Sequence, residues 1–169
     1  MIAALVLGSN VGDRVGFLIK AVGKIGEFGA IKGISGLFIS KAYGVEDQDD
    51  FINAALLLST NIDPRGLLYE LKKIEKELGR EEIFRWGPRK IDIDIALFDG
   101  LIIDLVDLTI PHKGLIERDF FLDPLIELIP EVADPISGKT LSKLREELPK
   151  AENKVVSKYI DKRWQVLIT

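Results

Sequence analysis

The stretch Ile91-Asp92-Ile93-Asp94-Ile95-Ala96-Leu97-Phe98 alternates apolar and acidic residues before it turns wholly apolar. Side chains alternate across a strand, so Ile91, Ile93, Ile95 and Leu97 are expected to face a core while Asp92 and Asp94 share the other face. Asp99-Gly100 is expected to close this strand as a tight hairpin turn into residues 101–103. Before the strand stands a polar loop, residues 80–90, and before that a helix. Asp63-Pro64 offers an N-cap and a proline at the first helical position, Gly79 a stop, and Leu67, Leu68, Leu71, Ile74 and Leu78 one apolar stripe. A striped helix beside a strand with one apolar face implies a helix lying on a sheet.

Toward the N-terminus, residues 2–7 read as a buried strand ended by Gly8-Ser9-Asn10. Residues 13–28 read as a helix with Val15, Leu18, Ile19, Val22 and Ile25 at helical spacing, and residues 31–43 and 51–60 as two strands joined by an acidic loop. Toward the C-terminus, helical pieces are expected in 115–128, broken at Pro124, with a short helix over 141–148 and a closing hairpin in 155–168 around Asp161-Lys162. Strand, helix, strand, strand, helix, strand is the order of an α+β ferredoxin-like sandwich, an antiparallel sheet with helices packed on one face, here with a C-terminal hairpin added. At 169 residues, with 47% hydrophobic and 30% charged residues and no repeat or linker, the chain suits a single domain over 1–169.

Composition removes several classes of chemistry. There is no cysteine, hence no disulfide, thiolate metal site or cysteine nucleophile, and one histidine, His112, excludes a multi-histidine site. A metal would sit among oxygen donors, which suits magnesium or manganese. A formal net charge of −4 gives no basic footprint for nucleic acid. No apolar run approaches the ~20 residues of a membrane span and residues 1–8 carry no basic leader, so no membrane is expected and the cytoplasm is the expected location.

Asp92 and Asp94 stand about 6.5 Å apart by the rise of a strand. At that distance two carboxylates repel by about 2.5 kcal/mol at an effective dielectric near 20, which invites a cation. Two magnesium ions could be bridged by such a pair, their shells completed by waters and phosphate oxygens; a solvated edge-strand face is the commoner fate of aspartate. Just before the pair, Arg85-Trp86-Gly87-Pro88-Arg89-Lys90 brings three cations and an indole, and arginine forks fit phosphate.

Leu78-Gly79-Arg80 followed by Arg85-Trp86-Gly87-Pro88-Arg89-Lys90-Ile91-Asp92-Ile93-Asp94 resembles the signature of the 6-hydroxymethyl-7,8-dihydropterin pyrophosphokinases, also called 2-amino-4-hydroxy-6-hydroxymethyldihydropteridine pyrophosphokinases. Leu7-Gly8-Ser9-Asn10, Asp47-Gln48, Asp50-Phe51-Ile52-Asn53-Ala54, Leu108-Thr109-Ile110-Pro111-His112 and Glu117-Arg118 follow in the family's order, to about Glu131. The resemblance implies an ATP-dependent diphosphotransferase of folate synthesis, with ATP as co-substrate and 6-hydroxymethyl-7,8-dihydropterin as acceptor. By the same resemblance Asp92 and Asp94 bind two Mg2+ ions, and Arg80 and Arg89 act in catalysis on a loop that closes with Trp86 over the phosphates. Phe51 and Phe120 would sandwich the pterin ring, Asn53 would hydrogen-bond its edge, and Gly44 joins the substrate set. Glu75, Ile95, Thr109, His112 and Arg118 correspond to nucleotide contacts. Singly, each has an ordinary structural alternative, such as a core ring or a satisfied loop histidine. A non-catalytic pterin or nucleotide sensor on the same fold is the rival reading; it could lose an aspartate or Arg89, whereas this chain keeps both aspartates and both arginines.

Gly8-Ser9-Asn10-Val11-Gly12-Asp13 lacks the lysine of a phosphate loop and reads as a capped strand-to-helix turn. Two departures from the family pattern stand out: Glu81 and Glu82 where a basic residue is usual, and Asp107 where an arginine is common. Weaker magnesium-ATP binding is expected from them, unless Lys90 or Lys113 compensates. No protein partner and no role for residues 150–169 can be read from the sequence.

Overall fold

The computed structural model describes residues 1–42, 47–79 and 88–169. Its centre is β1 (Ile2–Ser9), buried from Ala3 onward. An apolar run without alternation marks a strand covered on both faces. β1 pairs antiparallel with β4 (Phe51–Ser59) on one side and with β5 (Asp92–Phe98) on the other. β4 is flanked along its length by β2 (Ala30–Ile34) and then β3 (Leu37–Ser40), and β8 (Val155–Tyr159) extends the sheet beyond β3. The order is thus β5-β1-β4-β3-β8, with β2 also on β4.

The strand expected over 31–43 is two strands because at Ser35, opposite Ala55, the hydroxyl takes the place of the backbone carbonyl in the pairing with β4. The Ser35 N–H donates to the Ala55 carbonyl at 2.9 Å, and its hydroxyl oxygen accepts the Ala55 N–H at 2.8 Å.

On one face lie α1 (Arg14–Ile25), capped by Asp13, and α2 (Pro64–Glu77), capped by Asp63. They pack on Leu5, Leu7, Leu56, Leu58, Ile93 and Ile95. The other face is also covered, by α3 (Asp119–Leu128) and α4 (Leu141–Glu147), over Ala4, Val6, Ala55, Ala96 and Leu97. Helices on both faces replace the one-faced arrangement expected above. Ala4 pairs with Leu97 but Leu5 with Ile95, so Ala96 is an extra residue in β5. Such a bulge reverses the phase. Leu97 therefore joins the second core and Phe98 the first, while Asp92 and Asp94 keep their shared face.

α3 is not broken at Pro124. The missing N–H falls opposite Phe120 near the helix start, and Phe121, Leu122 and Leu125 bury the helix against the sheet. Asp99, at φ 47°, reverses the chain after β5, but the next strand does not return along β5; β6 (Ile103–Asp104) pairs with β7 (Thr109–Ile110) instead. The expected C-terminal hairpin is also overturned. Only its first half is a strand, and α5 (Lys162–Ile168) follows, because Asp161 accepts the Arg163 N–H as a cap and Trp164 buries completely with its indole N–H on the Ser35 carbonyl at 2.9 Å.

Candidate active site

β5 is an edge strand, so every second N–H points away from β1 and needs a partner. The Ile93 N–H finds one in the Glu75 carboxylate of α2 at 2.8 Å. That carboxylate is only 3% exposed and is also held by the Lys72 ammonium at 3.2 Å. The brace fixes the strand between its two aspartates. Asp92 accepts from Arg89 Nη1 at 3.0 Å. Asp94 lies 3.6 Å from His112 Nε2.

Burial, and then the charge of Asp92, push the Asp94 carboxyl up to about 8, against the partial relief of Lys72 and Arg118. His112 is held low, at about 4, by burial and by the neighbouring Arg118 cation. Its Nδ1 accepts the Gly114 N–H at 2.9 Å, which leaves the ring proton on Nε2, facing Asp94.

Two clefts meet at these groups. The first, lined by Gly8, Ser40, Phe51, Asn53, Arg89 and Phe120, runs to Asp92 and Asp94. The second, lined by Leu68, Lys72, Ile95, Thr109, His112 and Lys113, reaches Asp94 from the other side. Asp94 and Arg118 belong to both. The first cleft combines aromatic faces with one buried amide, Asn53, whose nitrogen donates to Ser40 Oγ at 2.6 Å. A flat polar heterocycle needs those two features. The second combines apolar walls with cations and a hydroxyl, as a nucleotide would require.

Of the site residues expected from the sequence, Phe51, Asn53, Arg89, Asp92, Asp94, Arg118 and Phe120 line the first cleft, and Ile95, Thr109 and His112 the second. Glu75 is on neither wall but buried beneath β5. Gly44, Arg80 and Trp86, with the acidic pair Glu81-Glu82, lie outside the described residues. Among the described residues no cluster of three or more His, Cys, Asp and Glu side chains could hold a metal. The donor set is two hard carboxylates. This fits a magnesium ion that takes most of its ligands from phosphate and water.

Asn10, read above as part of a structural turn, does more. It is 1% exposed; its side-chain oxygen accepts the Arg89 N–H at 2.8 Å and its amide nitrogen donates to Gln48 Oε1 and the Asp49 carbonyl. It ties the segment bearing Arg89 to the segment before Phe51. Gly8 was missed for a different reason: a Cβ there would stand 2.9 Å from Asn53 Oδ1, so the missing side chain is the cleft floor.

Residues 4–130 match the model of the 7,8-dihydro-6-hydroxymethylpterin-pyrophosphokinase (HPPK) family. The chain belongs to this family. The 2-amino-4-hydroxy-6-hydroxymethyldihydropteridine pyrophosphokinase of Aquifex aeolicus (strain VF5) is 48% identical over 141 residues, 83% of this chain and 88% of that protein. The protein of the same name from Bacillus subtilis (strain 168) is 40% identical over 133 residues, 78% and 80% of the two chains. Other relatives are longer: the chain spans 21% of the Pneumocystis carinii folic acid synthesis protein fol1, 37% identical over 92% of this chain. The HPPK fold is also seen in the crystal structure of wild-type Plasmodium falciparum HPPK-DHPS with pteroate, with a TM-score of 0.70 at 18% identity over 86% of this chain and 42% of that one.

Proposed function

We propose that the chain transfers the terminal pyrophosphate of ATP to the hydroxymethyl group of 6-hydroxymethyl-7,8-dihydropterin, giving the pterin diphosphate and AMP in folate synthesis. The observation that carries this reading is the meeting of an aromatic, amide-bearing cleft and a cationic cleft at Asp94 and Arg118. The pterin would enter the first and ATP the second. The acceptor hydroxyl and the β-phosphorus would then face each other beside the two carboxylates.

The hydroxyl oxygen forms a bond to the β-phosphorus, the bond from that phosphorus to the α,β-bridging oxygen breaks, and the bridging oxygen leaves with AMP; the hydroxyl proton passes to solvent. Such transfers depend on positioning and charge neutralisation more than on a strong base. Phe51 and Phe120 stack the pterin and Asn53 holds its edge. Arg118, reaching both clefts, and Arg89 bind phosphate oxygens, with Arg80 and Trp86 joining them. His112, neutral with its proton on Nε2, donates to a phosphate oxygen. Asp92 and Asp94 would hold two Mg2+ ions, which neutralise phosphate charge when bound.

No observation favours the non-catalytic sensor. We place the whole of 1–169 in one domain acting in the cytoplasm; no helix among the described residues is long and apolar enough to cross a membrane. The test is to incubate the protein with ATP, magnesium and the pterin and separate the adenine nucleotides. AMP in one-to-one ratio with pterin diphosphate is expected; ADP with a pterin monophosphate would overturn the reading.

A further inference from the structure

The family match ends at residue 130, yet residues 154 and 155 touch both walls of the first cleft. On one wall, Val155 pairs with Ser40, and the Lys154 carbonyl accepts the Lys41 N–H at 2.9 Å. Ser40 Oγ in turn holds the Asn53 amide. On the other wall, the N–H groups of Lys154 and Val155 both donate to Asp119 Oδ2, at 2.8 and 2.7 Å. Asp119 is completely buried and stands between Arg118 and Phe120, which line the cleft.

A second contact reinforces the first. One helical turn on, Asp123 accepts from Arg145 Nε at 2.7 Å, and Arg145 Nη1 donates to Asn153 Oδ1 at 3.1 Å. The face of α3 turned away from the cleft is therefore fastened to residues 153–155 through two carboxylates. Burying a carboxylate is costly unless it is well bonded, and Asp119 Oδ1 has no hydrogen-bond partner among the described residues. A β8 strand needing only to extend the sheet would have the β3 ladder for that purpose. The carboxylate adds a link from the strand to α3, and α3 carries Phe120.

We propose that Asp119, Lys154 and Val155 form a clasp that sets the gap between the Asn53 wall and the Phe120 wall, making Asp119 a positioning residue for pterin binding. The proposal rests on the pterin reading of this cleft. A planar ring held between aromatic faces tolerates little change in their separation, because dispersion contacts decay steeply with distance. Apart from Arg118, which both clefts share, the second cleft is lined by β5, α2 and the 106–113 segment, none of which the clasp touches.

The test compares the full chain with Asp119→Ala, Asp119→Asn and Val155→Pro, titrating each with 6-hydroxymethylpterin and, separately, with a non-hydrolysable ATP analogue. Loss of the clasp in Asp119→Ala is expected to weaken pterin binding about tenfold with nucleotide affinity unchanged within about twofold. Asp119→Asn should restore pterin binding, since an amide oxygen accepts the same two N–H groups. Val155→Pro removes one donor at the first residue of a strand, where proline is tolerated, and should reproduce the selective loss; it carries the test if Asp119→Ala does not fold. Unchanged pterin affinity in the folded variants, or an equal loss for both ligands, would overturn the clasp. Absence of pterin binding by the wild-type chain would instead overturn the functional reading beneath it.

Discussion

Arg65 of α2 and Asp107, on the rim of the second cleft, form an ion pair with Nη2 and Oδ2 3.0 Å apart. The acid that stands where the family commonly has an arginine thus has a cation across from it, and the weakened ATP binding expected from Asp107 alone is offset locally. Both side chains are more than half surface-exposed or close to it, so the pair is worth at most about 1 kcal/mol. Arg65→Ala is expected to weaken binding of a magnesium-ATP analogue by roughly two- to fivefold at low salt, an effect that fades as salt screens the uncovered carboxylate. Asp107→Arg should tighten binding under the same conditions. If neither variant changes affinity at low salt, this rim does not face the nucleotide phosphates.

Asp92→Ala and Asp94→Ala should each lower the turnover rate by about 100-fold or more, because metal charge stabilisation is worth several kcal/mol. The fold should survive in both. Asp92 and Asp94 face the clefts rather than a packed core, and removing Asp94 also removes a carboxyl that burial and Asp92 disfavour as the anion. Thermal melting and activity at saturating magnesium and ATP check the two halves of the expectation, and near-normal turnover in either variant would remove it from the metal site.

Asn10→Ala tests the tie between the Arg89 segment and the segment before Phe51. The substitution strands the Arg89 N–H and removes two hydrogen bonds to residues 48 and 49. A buried donor left unsatisfied costs about 1–3 kcal/mol, so both melting temperature and kcat/KM should fall. Asn10→Asp keeps the acceptor for Arg89 but loses the donors, and should be intermediate. A variant that melts lower while kcat/KM stays at the wild-type value would restrict Asn10 to a structural role.

The sequence made legible whatever rests on short-range pattern. The cap at Asp63, the stop at Gly79, and the shared face of Asp92 and Asp94 follow from spacing and residue type, and the ordered motifs named the family. What it hid depends on contacts between distant residues. The Ala96 bulge reverses the phase of β5 through pairing with β1, which no local period displays. The covering of the second sheet face was visible in retrospect, since Ala3-Ala4-Leu5-Val6-Leu7 does not alternate. The C-terminal segment misled because its alternation around Asp161-Lys162 suits a hairpin equally well. Burial of Trp164 against Ser35, 129 residues away, decides for a helix.

Gly8 gives the sharpest probe of the first cleft. It pairs with Asn53 on β4 and with Asp92 on β5, so it stands between the amide and the first carboxylate. A Cβ there would sit 2.9 Å from Asn53 Oδ1 and 3.4 Å from Phe51 Cδ1, too close to the first and tight against the second. Asn53 is 3% exposed and tied to Ser40, which leaves it little room to retreat. Gly8→Ala should therefore turn the amide away from the pterin edge and narrow the slot beside Phe51. Losing a hydrogen bond to a buried polar partner costs about 1–3 kcal/mol, which corresponds to roughly a five- to hundredfold loss of pterin affinity. Binding of the ATP analogue alone should be little changed, since Gly8 does not line the second cleft. Paired titrations of the variant with pterin and nucleotide decide the matter. Wild-type pterin affinity in a folded Gly8→Ala protein would show that the ring does not lie over this glycine, and that Asn53 does not read its edge.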